Sequence, residues 1–277
     1  MLVPCYDLTN NLEAMMKRRT GSLVAAIFII ATLPAAAQWL NVRAKGIPRT
    51  EDGKPDLSAP APRKPDGKPD LSGIWMADRS SAKYLGDLSA DFKPGEFPIQ
   101  PWAEALSKER MAEGHASPGT HCLPIGIPSF NVSSGIYPLK IVQESDLVII
   151  LYEPFSIFRQ IHLDGRTLPK DPNPTWMGYS VGRWEGEVLV VDSAGFNGKI
   201  WLDQVAGHPS TEALHLTERF RRRDFGHLEL TLTIDDPKAY TKPWTVTVKM
   251  QISPDTELME GICNENEKDL PHMVDKK

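Results

Sequence analysis

The amino-acid sequence predicts an all-β fold, an antiparallel up-and-down barrel of about eight strands with one short helix and long loops. Three observations carry that prediction. Short stretches of alternating apolar and polar residues recur between Leu139 and Ile252; turn dipeptides such as Asp164-Gly165 and Glu185-Gly186 separate them; and the connection between Phe196 and Leu214 is much longer than a turn. Evenly spaced strands joined by short turns favour a meander closed on itself, and a chain of this size can hold it as one domain.

The chain opens with targeting features. Lys17, Arg18 and Arg19 precede an apolar run from Leu23 to Leu33, followed by small residues at Ala35 and Ala37. These are the basic region, apolar region and A-x-A site of a signal peptide over residues 1–37. Residues 1–14 do not fit such a peptide, so Met15 or Met16 suits its start better than Met1. The apolar run is too short to span a bilayer. The expectation is therefore an exported protein, periplasmic or extracellular, with no stable membrane insertion after cleavage. Residues 38–72 are rich in Pro, Lys, Asp and Gly and carry DGKPDLS twice, at 52–58 and 66–72. With little that could form a core, they read as an extended lead-in, and the barrel domain is expected over 73–277.

Inside that domain, 102–113 is the helix candidate: Pro101 suits its first position, Glu104 and Lys108 pair one turn apart, and Gly114 stops it. The strand patterns are 139–143, 147–153, 158–163, 180–184, 187–196, 214–222, 228–234 and 244–252, with a last short one over 257–263. Cys5 precedes the cleavage point, which leaves Cys122 and Cys263 as an even pair in an oxidising compartment, hence one disulfide.

Because side chains alternate faces along a strand, parity assigns candidate site residues. In 214–222 the residues Leu214, Leu216 and Phe220 share a face, and Glu218 falls on it. In 188–196 Asp192 shares parity with Val188, Val190 and Phe196, although Leu189 and Val191 make that strand apolar on both sides. An inward carboxylate is costly unless paired, and desolvation is one way to obtain a general acid or base. The competing reading of Glu218 is a structural ion pair with Arg159 or Arg219. His162 lies at a strand end near Asp164 and Arg166. The long connection adds Asn197, Trp201, Asp203, His208 and Glu212. There Trp201 and Trp176 can wall a ligand, and Asp203 or Glu212 can orient His208 as a base; the bland alternative is a loop stapled by its own side chains.

Metal-ligand spacing occurs at His208, Glu212 and His215, but Pro209 disfavours a helix there and His215 has outward parity, so no metal is expected. No nucleotide-binding or nucleophile-elbow motif occurs, so no cofactor is expected. A net charge of −5 gives no basis for nucleic-acid binding.

Gly73-x-Trp75 resembles the G-x-W of the first lipocalin strand, which implies a calycin-like barrel. The motifs GYSVGRWEG, GHPSTEALHLTERFRRRDFGH and TIDDPKAYTKPW resemble a family of exported bacterial proteins of unassigned function. That resemblance implies export and a shared β domain, and no reaction. The leading expectation is an enzyme acting on a small molecule by cofactor-independent acid-base chemistry, as a lyase, isomerase or hydrolase. Glu218, His208, Asp203 and Asp192 are its candidate catalytic residues. Trp201, Asn197, His162, Trp176, Arg159 and Glu212 are its candidate ligand contacts. The alternatives are a carrier of an apolar small molecule and an envelope interaction protein.

Overall fold

The computed structural model describes residues 43–112, 117–134 and 136–263; the expected signal peptide, Cys5 and the first residues of the lead-in lie outside them. Alternation in the sequence becomes alternation of burial. In β8 (His227–Asp235) Leu228, Leu230, Leu232 and Ile234 point inward. In β9 (Trp244–Ile252) Trp244, Val246, Val248, Met250 and Ile252 do the same. The outer face of this pair carries cross-strand threonines, Thr231 against Thr247 and Thr233 against Thr245, in hydroxyl contact at 3.1 and 3.0 Å.

Nine strands close into one barrel in chain order: β1 (Gly73–Ala77), β2 (Leu139–Gln143), β3 (Leu147–Tyr152), β4 (Ile157–His162), β5 (Tyr179–Glu185), β6 (Val188–Ala194), β7 (His215–Arg222), then β8 and β9. The all-β barrel expected from the sequence is the fold observed. Its ninth strand is β1, which pairs antiparallel with both β2 and β9 and closes the wall. A closed ring of nine strands cannot alternate direction throughout, so at least one neighbouring pair must be parallel. That pair is β4 and β5. The two overlap only where the last residues of β4, Ile161 and His162, lie beside the first of β5, Ser180 and Val181, so after the connection over 163–178 the chain runs on in the direction of β4.

The strand expected over 257–263 does not form. Only an isolated bridge joins Gly261 to Pro154, because β1 already occupies the edge of β9. The expected helix forms as α2 (Pro101–Ala112), while Glu113 and Gly114 lie outside the described residues. Among the described residues two further short α-helices, α1 (Lys83–Gly86) and α3 (Ser129–Ser133), and a 3-10 helix at Pro118–His121 were not evident in the sequence.

The lead-in is folded rather than extended. Each DGKPDLS copy closes a tight hairpin turn, with bridges Arg49 to Pro55 and Arg63 to Pro69, and Gly53 and Gly67 at φ 81° and 82°, where only glycine is unstrained. Arg49 and Arg63 each donate back to the glycine carbonyl of their own turn, at 3.1 and 2.8 Å. The second copy delivers Leu71 into one end of the barrel, 1% exposed. There the Gln143 amide accepts from Leu71 N at 2.8 Å and donates to Pro69 O at 3.1 Å. Arg222 stacks over Trp75 at 4.9 Å and donates to the carbonyls of Asp70, Ser72, Asp224 and Phe225.

At the other end α3 enters the barrel, with Phe130, Asn131 and Val132 all buried. Stoppered at both ends, the interior is solid: the gap left between Leu71, Ile150, Leu189 and Phe220 has no room for water. Cys122 and Cys263 are disulfide-bonded, tying the segment before α3 to the chain beyond β9 across 141 residues.

Candidate functional site

Parity placed Glu218 inward, and inward it lies, 0% exposed. Its carboxylate faces the Arg159 guanidinium with both oxygens. Oε1 accepts from Nη1 at 3.0 Å, Oε2 accepts from Nη2, and Asn131 Nδ2 adds a bond to Oε1 at 2.7 Å. Arg159 is completed by Ser180 Oγ on Nε (3.0 Å) and Ser193 Oγ on Nη2 (2.8 Å), and Asn131 Oδ1 accepts from Tyr152 at 2.8 Å. Burial works against the Arg159 charge, but Glu218 outweighs it and holds the guanidinium more firmly protonated than usual; burial pushes the Tyr152 phenol well up. Every polar atom of this layer has a partner, as a buried ion pair requires. Of the two readings of Glu218, the geometry is that of the ion pair with Arg159.

Asp192 is a correction. It stands on the outer wall, where Oδ2 accepts from Arg183 Nη1 at 2.6 Å and Oδ1 accepts from Thr217 Oγ1 at 2.9 Å, with His215 Nε2 at 3.8 Å. Ser193 takes the inward place instead. Parity failed in β6 because Leu189, Val190 and Val191 are all buried, so its apolar pattern does not mark one face.

His208 and Asp203 do meet. Trp201 and Pro209 form a bridge, Leu202 N donates to His208 O at 2.8 Å, and residues 201–209 become a small hairpin. At its base Asp203 Oδ2 lies 2.5 Å from His208 Nδ1 and accepts from Leu88 N at 2.9 Å, while Oδ1 accepts from His208 N at 3.1 Å. The carboxylate accepts through the Nδ1 side of the ring, so Nε2 is the nitrogen turned away from Asp203. Phe97 packs against the imidazole, ring centres 4.8 Å apart. Arg110 from α2 covers the Trp201 ring at 4.3 Å and donates to Gly207 O at 2.8 Å; burial, outweighing the nearby Asp203 and Glu109, lowers its pKa to about 10. Among the described residues Glu218 and His208 share no hydrogen-bond partner: one belongs to the barrel layer, the other to the connection covering its end.

The remaining candidates are dispersed. Glu212 does not orient His208; it is exposed and pairs with Lys238. Asn197 caps its own turn through Lys199 N at 3.0 Å. Trp176 is half-buried against the core rather than opposite Trp201. His162 lies on the outer face, stacked on Tyr179 at 5.4 Å, and its pKa is lowered by burial and by Arg166. Among the described residues, those that could hold a metal are not His208, Glu212 and His215 but Asp87, Asp203 and His208, whose ligand atoms lie within 4.8 Å of one another. A cation there would displace the hydrogen bonds that build the hairpin, so the donor set is already in use.

The sequence reading missed a cleft of ≈ 600 Å³ at the end stoppered by α3. Ile125, Ile136, Tyr137, Phe155, Val205 and Ile262 supply most of its surface, with Ser117, Ser133 and Gln204 as polar points, and Cys263 of the disulfide lines one wall. Ile136, Tyr137, Val205 and Ile262 are four of the large hydrophobics that stand exposed among the described residues. The signal available was apolar side chains in segments with turn chemistry, which have no core to face unless they face each other or a ligand. Gln204 and Val205 are the tip of the hairpin whose base holds Asp203 and His208.

No protein-family model and no curated protein matches the chain. Among solved structures it is similar to a point mutant of the fluorescent protein UnaG, with 17% identity and TM-score 0.30 over 68% of this chain and 97% of that one. A likeness at that level carries no functional argument.

Proposed function

We propose that the protein is an exported binding protein for a small, largely apolar molecule, held in the cleft at the α3 end of the barrel. The observation that carries this reading is the convergence of Ile136, Tyr137, Val205 and Ile262 on one concave surface of ≈ 600 Å³, within the range of small-molecule sites. The interior that a lipocalin-style carrier would use is filled, and its Arg159–Glu218 layer is self-satisfied. The Cys122–Cys263 bond supports an oxidising compartment and hence export.

The test is binding of N-phenyl-1-naphthylamine, a neutral fluorophore that brightens in apolar sites, to the exported form. Saturable binding lost in Ile136→Glu supports the reading; position 136 is 58% exposed, so the charge does not disturb folding. Unchanged binding in that variant refutes it. A second reading, acid-base chemistry at His208, is favoured by the 2.5 Å Asp203 contact and by the shared hairpin. It requires turnover that His208→Ala abolishes while fluorophore affinity stays; a ligand recovered unaltered from the wild-type protein excludes it.

A further inference from the structure

We infer that the ligand of the cleft is a neutral amphiphile carrying a hydroxyl group, and not a carboxylate such as a fatty acid. The inference rests on the binding reading above and adds the chemical class.

The distribution of charge around the cleft is its basis. Among the described residues lining it, none carries a charged side chain. The lining residues Pro154 and Gly261 are flanked in the chain by Glu153 and Glu260, both acidic. A buried carboxylate needs a cation or several donors to remain ionised, so the next question is where the buried cations are. Among the described residues four arginines are not exposed, and each is committed elsewhere; Arg49 is paired with Asp255. Arg159 is held by Glu218 inside the barrel. Arg222 is engaged by four lead-in and turn carbonyls at the opposite end. Arg110 lies under Trp201 and on Gly207 O. None of the four lines the cleft.

The polar points that remain are neutral. Gln204 donates one amide N–H to Ser129 Oγ at 2.9 Å, and the Ser117 and Tyr137 hydroxyls, which also line the cleft, can donate or accept. Ser133 Oγ donates to Phe130 O at 3.0 Å, which leaves its lone pairs. Neutral hydrogen-bonding groups on an apolar wall, with no charged side chain among the described lining residues, fit a hydroxyl and leave an anion without a counter-charge. The apolar remainder of the lining fits a hydrocarbon chain or ring.

The test displaces N-phenyl-1-naphthylamine from the full exported protein at neutral pH with three ligands of one chain length: dodecanol, dodecanoate and dodecyltrimethylammonium. Dodecanol is expected to displace the fluorophore, with dodecanoate weaker by at least about tenfold. The Val205→Lys variant, at a rim position 54% exposed, should bring dodecanoate to within reach of dodecanol by supplying a cation that the described lining does not hold. Equal or tighter binding of dodecanoate to the wild type overturns the inference while leaving the binding reading intact. So does preference for the ammonium, or failure of all three to displace a bound fluorophore. Absence of fluorophore binding overturns the binding reading itself. Light scattering in the same samples covers a further occupant: a dimer that dissociates as the fluorophore binds would assign the cleft to a second copy and overturn the inference.

Discussion

Replacing Glu218 by glutamine separates structural from catalytic use of that carboxylate. Glu218 and Arg159 have side chains 0% and 1% exposed. In the Gln variant Oε1 can keep Asn131 and Arg159 Nη1, but the new amide N–H₂ faces Nη2, donor against donor, and the guanidinium keeps its charge with no anion beside it. Breaking one side of a buried pair costs about 3–5 kcal/mol, which for a domain of this size corresponds to a Tm lower by about 6–20 °C. Urea unfolding should show the loss as a lower midpoint at unchanged slope. Removing both charges, as Glu218→Leu with Arg159→Met, should recover much of it, because the apolar pair carries no desolvation cost. A loss under about 1 kcal/mol for Glu218→Gln, with the double variant no better, would refute the account, since it would mean the pair is effectively solvated.

Three other outcomes follow from the same geometry. Leu71→Ala should cost about 2–5 kcal/mol in urea unfolding, as a core truncation and not as a linker change; a loss near zero would detach the second DGKPDLS copy from the barrel. Reducing the Cys122–Cys263 bond should lower stability by about 4–5 kcal/mol for a loop of 141 residues, and weaken fluorophore binding, because the bond holds the wall that carries Ile262; unchanged affinity in the Cys122→Ser/Cys263→Ser variant would place the ligand elsewhere. His162, held below its ordinary 6.5 by burial and by Arg166, should titrate below that value by NMR and move up in Arg166→Gln. A depressed folded-state pKa means its contribution to stability is present above 6.5 and lost as pH falls through the folded value, so a midpoint at or above 6.5 contradicts the environment described.

Legibility in the sequence followed the range of the interaction. Strand alternation is local, so β7, β8 and β9 could be read residue by residue, and Glu218 with them. β6 could not: Leu189, Val190 and Val191 are buried in succession, which erased the period and misplaced Asp192. The Asp203–His208 contact was legible as a candidate because both residues sit on one short loop, five positions apart. The lead-in was not, because its hold on the barrel rests on few apolar residues, chiefly Leu71, amid polar sequence, and compositional reasoning discounts single anchors. The cleft was the least legible feature. Its wall is assembled from segments near 85, 120, 136, 155, 204 and 262, and no periodicity connects them.

The density of polar residues between β6 and β7 invited a catalytic reading, and the structure accounts for most of it by a different need. A barrel interior that is solid must be stoppered, and the connection that covers an end must satisfy its own backbone without a ladder. Asp203 does this for Leu88 N and His208 N, Asn197 for Lys199 N, and Ser129 Oγ for the carbonyl of Trp201 at 2.6 Å. Asp236 does it for Thr211 N at 2.6 Å. Residues used this way are fixed, which leaves recognition to side chains with no structural partner. Among the described residues these include the exposed apolar groups around the disulfide, so on the binding reading proposed above a search for activity starts there, and His208 enters only if a ligand bound there is changed by it.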